Sequence, residues 1–425
     1  MNDKYKSSRI FYILEAALEY FISILVTGAY LAKLTEEIGL SDSLTGILSA
    51  FTSLGCGFQL FAIFLANKRP VKRWVTILHI INQLFFALVY LVPFINVSQS
   101  TKIVFFIVFL LLGHAINNVV NSPKINWFMS LVDNDKRGRF TANKEIVSLI
   151  SGIVFSFFTG IMIDHYQATN NNLGAFVFCG IGIFGLMVLH SLTLIFSKEK
   201  PIEEKEKSAT EKLLGKLVKD KTLFKVVLVS VLWNVAHFSA TPFYGSYQNK
   251  ELGFSMTFIS VLSMAYAVCR SLFSKPLGNY ADKHSFTKML NICFIIAMVA
   301  FSINVFTTPA NGKFLYTIYY MLYAISMAGI NSSTINLIYD YVDKEKRVGA
   351  LAISSTFSGI AGFLTTLAVS PLISYIQSNG NTLFGLNVYA QQVASLISVV
   401  LIGILLIYLN TVVKKLDNKQ KNNLT

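Results

Sequence analysis

The sequence predicts an all-α membrane protein with twelve transmembrane helices in two pseudo-symmetric six-helix bundles. Three observations carry that prediction. Of 425 residues, 54% are hydrophobic and 14% charged, against about a quarter charged in an ordinary soluble domain. The basic residues alternate from loop to loop with a strong bias to one side. Short sequences recur at about half the chain length. This composition excludes a soluble globular protein, a disordered chain and a disulfide scaffold. The formal net charge of +14 does not point to nucleic acid, because Lys and Arg sit in short clusters between apolar runs.

A helix needs about 20 mostly apolar residues to cross the hydrocarbon core, and twelve segments qualify. Span one, Ile10–Ala32, follows Lys4, Lys6 and Arg9. Its length and its two glutamates argue against a cleavable signal peptide. Span two, Leu44–Ala66, is parted from span three, Trp74–Ile95, by Lys68, Arg69, Lys72 and Arg73. Span four, Ile103–Pro123, is expected to run a turn or two further. The basic loop of Lys124, Lys136, Arg137, Arg139 and Lys144 leads to span five, Glu145–Asp164, and then span six, Gly174–Phe196. A Lys- and Glu-rich stretch follows, with a surface helix expected around Glu211–Val218. Spans seven and eight are Leu223–Tyr247 and Ser255–Leu277; Lys275, Lys283 and Lys288 flank the next turn. Spans nine to twelve are Phe286–Thr307, Phe314–Tyr339, Gly349–Ile376 and Val388–Thr411, with Lys344, Lys346 and Arg347 before span eleven and four lysines after Val413.

Of the 36 Lys and Arg, 31 fall in one set of tails and alternate loops; the other set holds Lys33, Lys102, Lys250 and Lys313, and Arg270 lies within a span. The positive-inside rule then puts both termini in the cytoplasm, with a bacterial cell membrane as the expected location. Cys56, Cys179, Cys269 and Cys293 fall within spans, so neither disulfides nor a metal site is expected.

The halves repeat each other. Val132-Asp133-Asn134-Asp135-Lys136-Arg137 matches Val342-Asp343-Lys344-Glu345-Lys346-Arg347, Ile116-Asn117-Asn118 matches Ile330-Asn331-Ser332, and Ala66-Asn67-Lys68 matches Ala281-Asp282-Lys283, at offsets of 210, 214 and 215 residues. Six spans return the chain to its starting side, so the repeat is parallel. The expected organisation is an N-terminal bundle over 1–197, a cytoplasmic linker over 198–222 and a C-terminal bundle with a short tail over 223–425.

Ionisable groups inside a bilayer are costly, and each is a functional candidate. Glu15 and Glu19 are four residues apart and share one face of span one. Two carboxylates a turn apart repel when both ionise in a low-dielectric site, which makes the pair a proton-accepting centre. Interfacial pairing of Glu15 with Arg9 or a loop lysine is the plainer alternative. Arg270 is the one basic residue placed deep in a span; it could lock onto a first-span glutamate, bind an anionic group, or form a static pair. Span four carries His114, Asn117 and Asn121 on one face. Span seven carries Trp233, Asn234 and His237, and span ten Asn331 with Tyr320 and Tyr323. Such faces suit a hydrogen-bonding solute, or else interhelical hydrogen bonds. Tyr316 is assigned to the interfacial aromatic belt, Asp164 to a solvated span end, and His79, Asn82, Gln83 and His190 to satisfied core positions.

The span count, central loop and repeat resemble the major facilitator superfamily of secondary transporters. Gly278-Asn279-Tyr280-Ala281-Asp282-Lys283 looks like that family's loop signature between spans eight and nine, and Asp133-x-x-Lys136-Arg137-Gly138-Arg139-Phe140 is similar to its loop after span four. The resemblance implies that Gly278, Asp282, Lys283, Arg137 and Arg139 form a conformational latch, with Asp282 capping a neighbouring helix. Asn67 replaces the Asp of the N-terminal copy. It also implies that spans one, four, seven and ten line a central cavity, and that the chain is a monomeric transporter rather than an enzyme. Its partners would be a small-molecule substrate such as a sugar or nucleoside, H+ or Na+ as coupling ion, and membrane lipid, with no cofactor and no nucleic acid. Efflux of amphiphilic drugs or lipids is the alternative. The drug/proton antiporters' Arg within span four and Gly-Pro pair in span five are missing, which lowers it. A non-transporting membrane sensor is the alternative of another class.

Overall fold

The structure, a computed structural model, describes residues 4–59, 70–133, 137–200, 220–342 and 346–416, without the side chains of 137–139, 142 and 348. The Ala66-Asn67-Lys68 repeat, parts of the Val132–Arg137 and Val342–Arg347 repeats, most of the 198–222 linker with its expected helix, and the side chains of Arg137 and Arg139 lie outside the described residues.

Among the described residues, nine helices are long and apolar enough to cross a membrane, and the pair Lys6–Leu25 and Gly28–Glu37, bent by 43°, makes a tenth span. Gly312–Tyr341, 30 residues long, stands for span ten, and Asp42–Ser49 with Phe51–Cys56 for the described part of span two. Twelve spans are consistent with this. Several helices outrun their predicted bounds: span four is Gln99–Ser130, span five Arg137–Ala168, span eight Met256–Lys283 and span eleven Arg347–Ser378. Pro123, Pro276 and Pro371 sit inside helices, because neighbouring groups in a bundle take over the one lost backbone bond.

Span one is broken, not continuous. Gly28 adopts φ +55°, a conformation that costs an L side chain and that glycine accepts. The carbonyl of Leu25 accepts a hydrogen bond from the buried Tyr90 hydroxyl at 2.5 Å. Span seven is likewise interrupted after Phe238, continuing as short 3-10 and π turns to Glu251.

The chain forms two compact units, Met1–Lys205 with Ser255–Val261, and Glu206–Phe254 with Leu262–Thr425. Within the first, span three packs on four and six, and span one on five and six. Within the second, span nine packs on ten and twelve, and span seven on eleven and twelve. These are the same pairs advanced by six spans, the structural form of the sequence repeat.

One end of the first unit is laced together. Tyr12, Val75, Val120, Trp127, Phe128, Leu131 and Leu194 form a buried cluster, with the Tyr12 and Phe128 rings stacked 4.4 Å apart. Arg9 donates to the Leu131 carbonyl at 3.0 Å, Trp127 Nε1 to the Lys198 carbonyl at 2.9 Å, and the Lys198 N–H to Ser8 Oγ at 2.8 Å. Pro70 leaves the start of span three without a side-chain cap of its own. The Glu199 carboxylate accepts instead from the N–H groups of Val71 and Lys72 at 2.6 and 3.2 Å. Spans one, three, four and six are thereby held at one end. Asp164 is not left to solvent: its two oxygens accept from the N–H groups of Met256 and Thr257 at 2.8 Å each.

In the second unit the Tyr316 hydroxyl accepts from Gln248 Nε2 at 2.8 Å, and the residue is 1% exposed. Tyr316 is therefore a core residue and not part of an interfacial belt. Tyr316, Tyr319 and Tyr323 pack edge-on or stacked against one another and Tyr244.

Candidate functional site

The first unit buries a charged cluster. Lys124 Nζ, on span four, lies 2.6 Å from Glu15 Oε1 and also bonds Glu19 Oε2. His190 Nε2, on span six, is 3.0 Å from the same Glu15 oxygen. The His79 ring, on span three, is 5.0 Å from the His190 ring, centroid to centroid. Glu15, His79 and His190 are fully buried and Lys124 nearly so, whereas the Glu19 side chain is 26% exposed. With the His190 imidazole neutral, two carboxylates and one ammonium leave one uncompensated negative charge, which burial makes expensive.

Beside this cluster lies a cavity of ≈ 140 Å³, lined by Glu19, Ile22, Ser23, Val26, Thr27, Thr52, Asn82, Gln83, Phe86, His114, Asn117 and Asn118. Glu19 is the member of the charged cluster that reaches this wall. Several liners have polar atoms without a hydrogen-bond partner: both side-chain polar atoms of Gln83, His114 Nε2 and Asn117 Oδ1. Buried polar atoms are ordinarily paired, so these lining residues carry unsatisfied hydrogen-bonding capacity. The Phe86 ring meets His114 edge-on at 5.0 Å, which fixes the imidazole against the cavity.

His114 and Asn117 of span four line the cavity, and Asn121 lies a turn further on, outside the lining. In the second unit His237 Nδ1 and the Tyr323 hydroxyl share a hydrogen bond at 2.8 Å, and the His237 ring stacks with Trp233 and Tyr323. Trp233 is buried against Phe294. Tyr320 packs on Tyr266 at 5.0 Å. Asn234 turns back onto its own helix, donating to the Ser230 carbonyl, and Asn331 is exposed. Arg270 is half-buried and forms no ion pair among the described residues. Within the first unit, Lys124 takes both first-span glutamates.

Gly278 to Lys283 form the last turns of the helix Met256–Lys283 rather than a loop. Asp282 is exposed, and Ser285 caps the following helix by accepting from the Lys288 N–H at 3.2 Å. The following helix thus has its cap from Ser285, and Asp282 faces solvent at the end of its own helix.

Lys124 is the residue that sequence reasoning misplaced. The sequence groups it with the basic residues of the loop after span four, but it lies inside the helix Gln99–Ser130 and faces the bundle. The signal was there: His114, Asn117, Asn121 and Lys124 follow at spacings of three, four and three, one continuous face. Asn82 and Gln83 line the cavity and His190 joins the charged cluster, where core packing was expected.

The family model described as the Major Facilitator Superfamily matches residues 13–366. No curated protein matches the chain at the sequence level. Among solved structures, the nucleoside transporter NupG is similar at TM-score 0.70 and 15% identity, over 96% of this chain and 98% of that one. A D-xylose-proton symporter is similar at TM-score 0.72 and 13% identity, over 94% and 96%. A bacterial homologue of the iron transporter ferroportin is similar at TM-score 0.71 and 13% identity, over 95% and 98%.

Proposed function

The chain belongs to the Major Facilitator Superfamily of multi-pass membrane transporters, and on that premise we propose that it carries a small polar organic solute by proton-coupled alternating access. One observation carries the proposal: two carboxylates share a single buried lysine at the wall of a polar cavity. The cluster is one positive charge short of neutrality, and a proton on Glu19 supplies it. Glu19 is the natural acceptor, because it alone of the cluster reaches the cavity. Protonation removes the charge that holds Lys124 to Glu19 and leaves Lys124 on Glu15.

Coupling then follows from shared occupancy of one wall. A solute bound among Asn82, Gln83, His114 and Asn117 senses whether Glu19 is a carboxylate or a carboxyl. The two ligands shift the inward–outward balance only through different affinities for the two states. Amides and a neutral imidazole match hydroxyl groups and base edges, so a sugar or a nucleoside is the fitting class. The one-sided distribution of basic residues supports cytoplasmic termini.

The test is uptake of radiolabelled D-xylose and uridine by reconstituted proteoliposomes, with and without an inward proton gradient. The gradient should drive accumulation of one of them. Glu19→Gln should abolish that acceleration while retaining exchange of labelled for unlabelled solute. Full gradient dependence in Glu19→Gln would sink the assignment of Glu19, and no transport of either probe by the wild type would overturn the solute class.

A further inference from the structure

We propose that Glu15, Glu19 and His190 form a binding site for a divalent transition-metal ion, in which Lys124 is the resident counter-cation that the metal displaces. One ligand atom from each of the three residues lies within 4.8 Å of the others. Ligand atoms around a zinc-sized ion stand roughly 3–3.5 Å apart, given bonds of about 2.0–2.2 Å. Side-chain adjustments of about 1–2 Å therefore close the set onto a metal. The three residues come from spans one and six, which pack directly on each other.

A second observation points the same way. Glu15 is fully buried, yet its Oε2 has no hydrogen-bond partner, nor does His190 Nδ1. His79, also fully buried, has neither ring nitrogen partnered, and its ring stands 5.0 Å from that of His190. Unpaired polar atoms at such depth are rare and costly. Here they surround a carboxylate pair already shaped around a cation. Lys124 shows that geometry: its ammonium bridges one oxygen of each glutamate. A lysine stem is long and flexible, so the ammonium can move off the carboxylates as the metal enters.

Charge also favours exchange. Two carboxylates with one ammonium leave a net negative charge, whereas two carboxylates with a divalent ion and a neutral imidazole are balanced. His190 ligates through Nε2 with its proton carried on Nδ1, the tautomer that its unpartnered Nδ1 permits, and His79 stands ready as a further imidazole. Two carboxylate oxygens with one or two imidazoles suit borderline ions such as Zn2+, Fe2+ or Ni2+ over Mg2+ or Ca2+.

The test is Zn2+ titration by calorimetry, with Co2+ as a spectroscopic probe, on detergent-purified full-length protein. Neither readout depends on transport, so failure here leaves the proton-coupled reading standing, and failure of that reading leaves this site standing. The wild type should bind one Co2+ with a visible ligand-field band, and Glu15→Gln/Lys124→Met, which removes both charges together, should lose it. Lys124→Met alone should bind Zn2+ about tenfold more tightly or better, since a site vacated by lysine a tenth of the time or less loses that factor of affinity. Equal Co2+ spectra in the wild type and the double variant overturn the site. Unchanged Zn2+ affinity in a folded Lys124→Met overturns the displacement of lysine.

Discussion

Replacing Lys124 by Met should destabilise the protein by about 3 kcal/mol, the lower end of the cost of breaking a buried ion pair. The size follows from which glutamate is stranded. Glu19 is 26% exposed, so water replaces much of what the lysine gave, as it does for exposed pairs. Glu15 is fully buried and loses its 2.6 Å partner, keeping only the imidazole of His190 at 3.0 Å. Methionine preserves the stem's packing, so the loss is electrostatic and not a cavity. At roughly 2–4 °C per kcal/mol for a unit of this size, melting followed by tryptophan fluorescence should fall by roughly 6–12 °C. Glu15→Gln/Lys124→Met removes both charges and should recover most of the loss, because a buried pair exchanged for neutral groups is near neutral in stability. Lowering the pH of the single variant should narrow its deficit, since a proton then supplies the charge the lysine supplied. A single variant as stable as the wild type, or a double variant as unstable as the single, would show that Glu15 does not depend on Lys124.

Glu199→Ala should cost about 1 kcal/mol by uncapping span three, seen as faster hydrogen exchange confined to the first turn after Pro70. Tyr90→Phe leaves the Leu25 carbonyl buried without its donor; the expected loss is about 1–3 kcal/mol in thermal unfolding. Gly55→Ala drives a Cβ to 3.0 Å from the His114 carbonyl and into the Asn118 amide. It should destabilise by about 1–3 kcal/mol, and solute affinity should fall because Asn118 lines the cavity.

Much of the fold could be read from the chain because the bilayer imposes two coarse rules, apolar length and the side of the positive charges. Those rules are insensitive to where a helix bends. The break at Gly28 depends on one residue's positive φ and on a hydroxyl from a distant helix, Tyr90, neither of which a run of apolar letters discloses. The face of span four was legible as far as Asn121 and no further, since Lys124 counts with the basic loop that follows. Glu15 and Glu19 stood out as a pair. Their partners did not, because Lys124 and His190 are 109 and 175 residues from Glu15 in sequence, and only packing brings them together.

The central claim is that the Glu15–Lys124–Glu19 cluster takes up a proton at Glu19. pH-difference infrared spectroscopy on reconstituted protein tests it without knowledge of the solute, by following the C=O stretch that a carboxylate gains on protonation. The account predicts a carboxyl band in the wild type on acidification that is missing from the difference spectrum of Glu19→Gln. Identical difference spectra for the wild type and Glu19→Gln would contradict it.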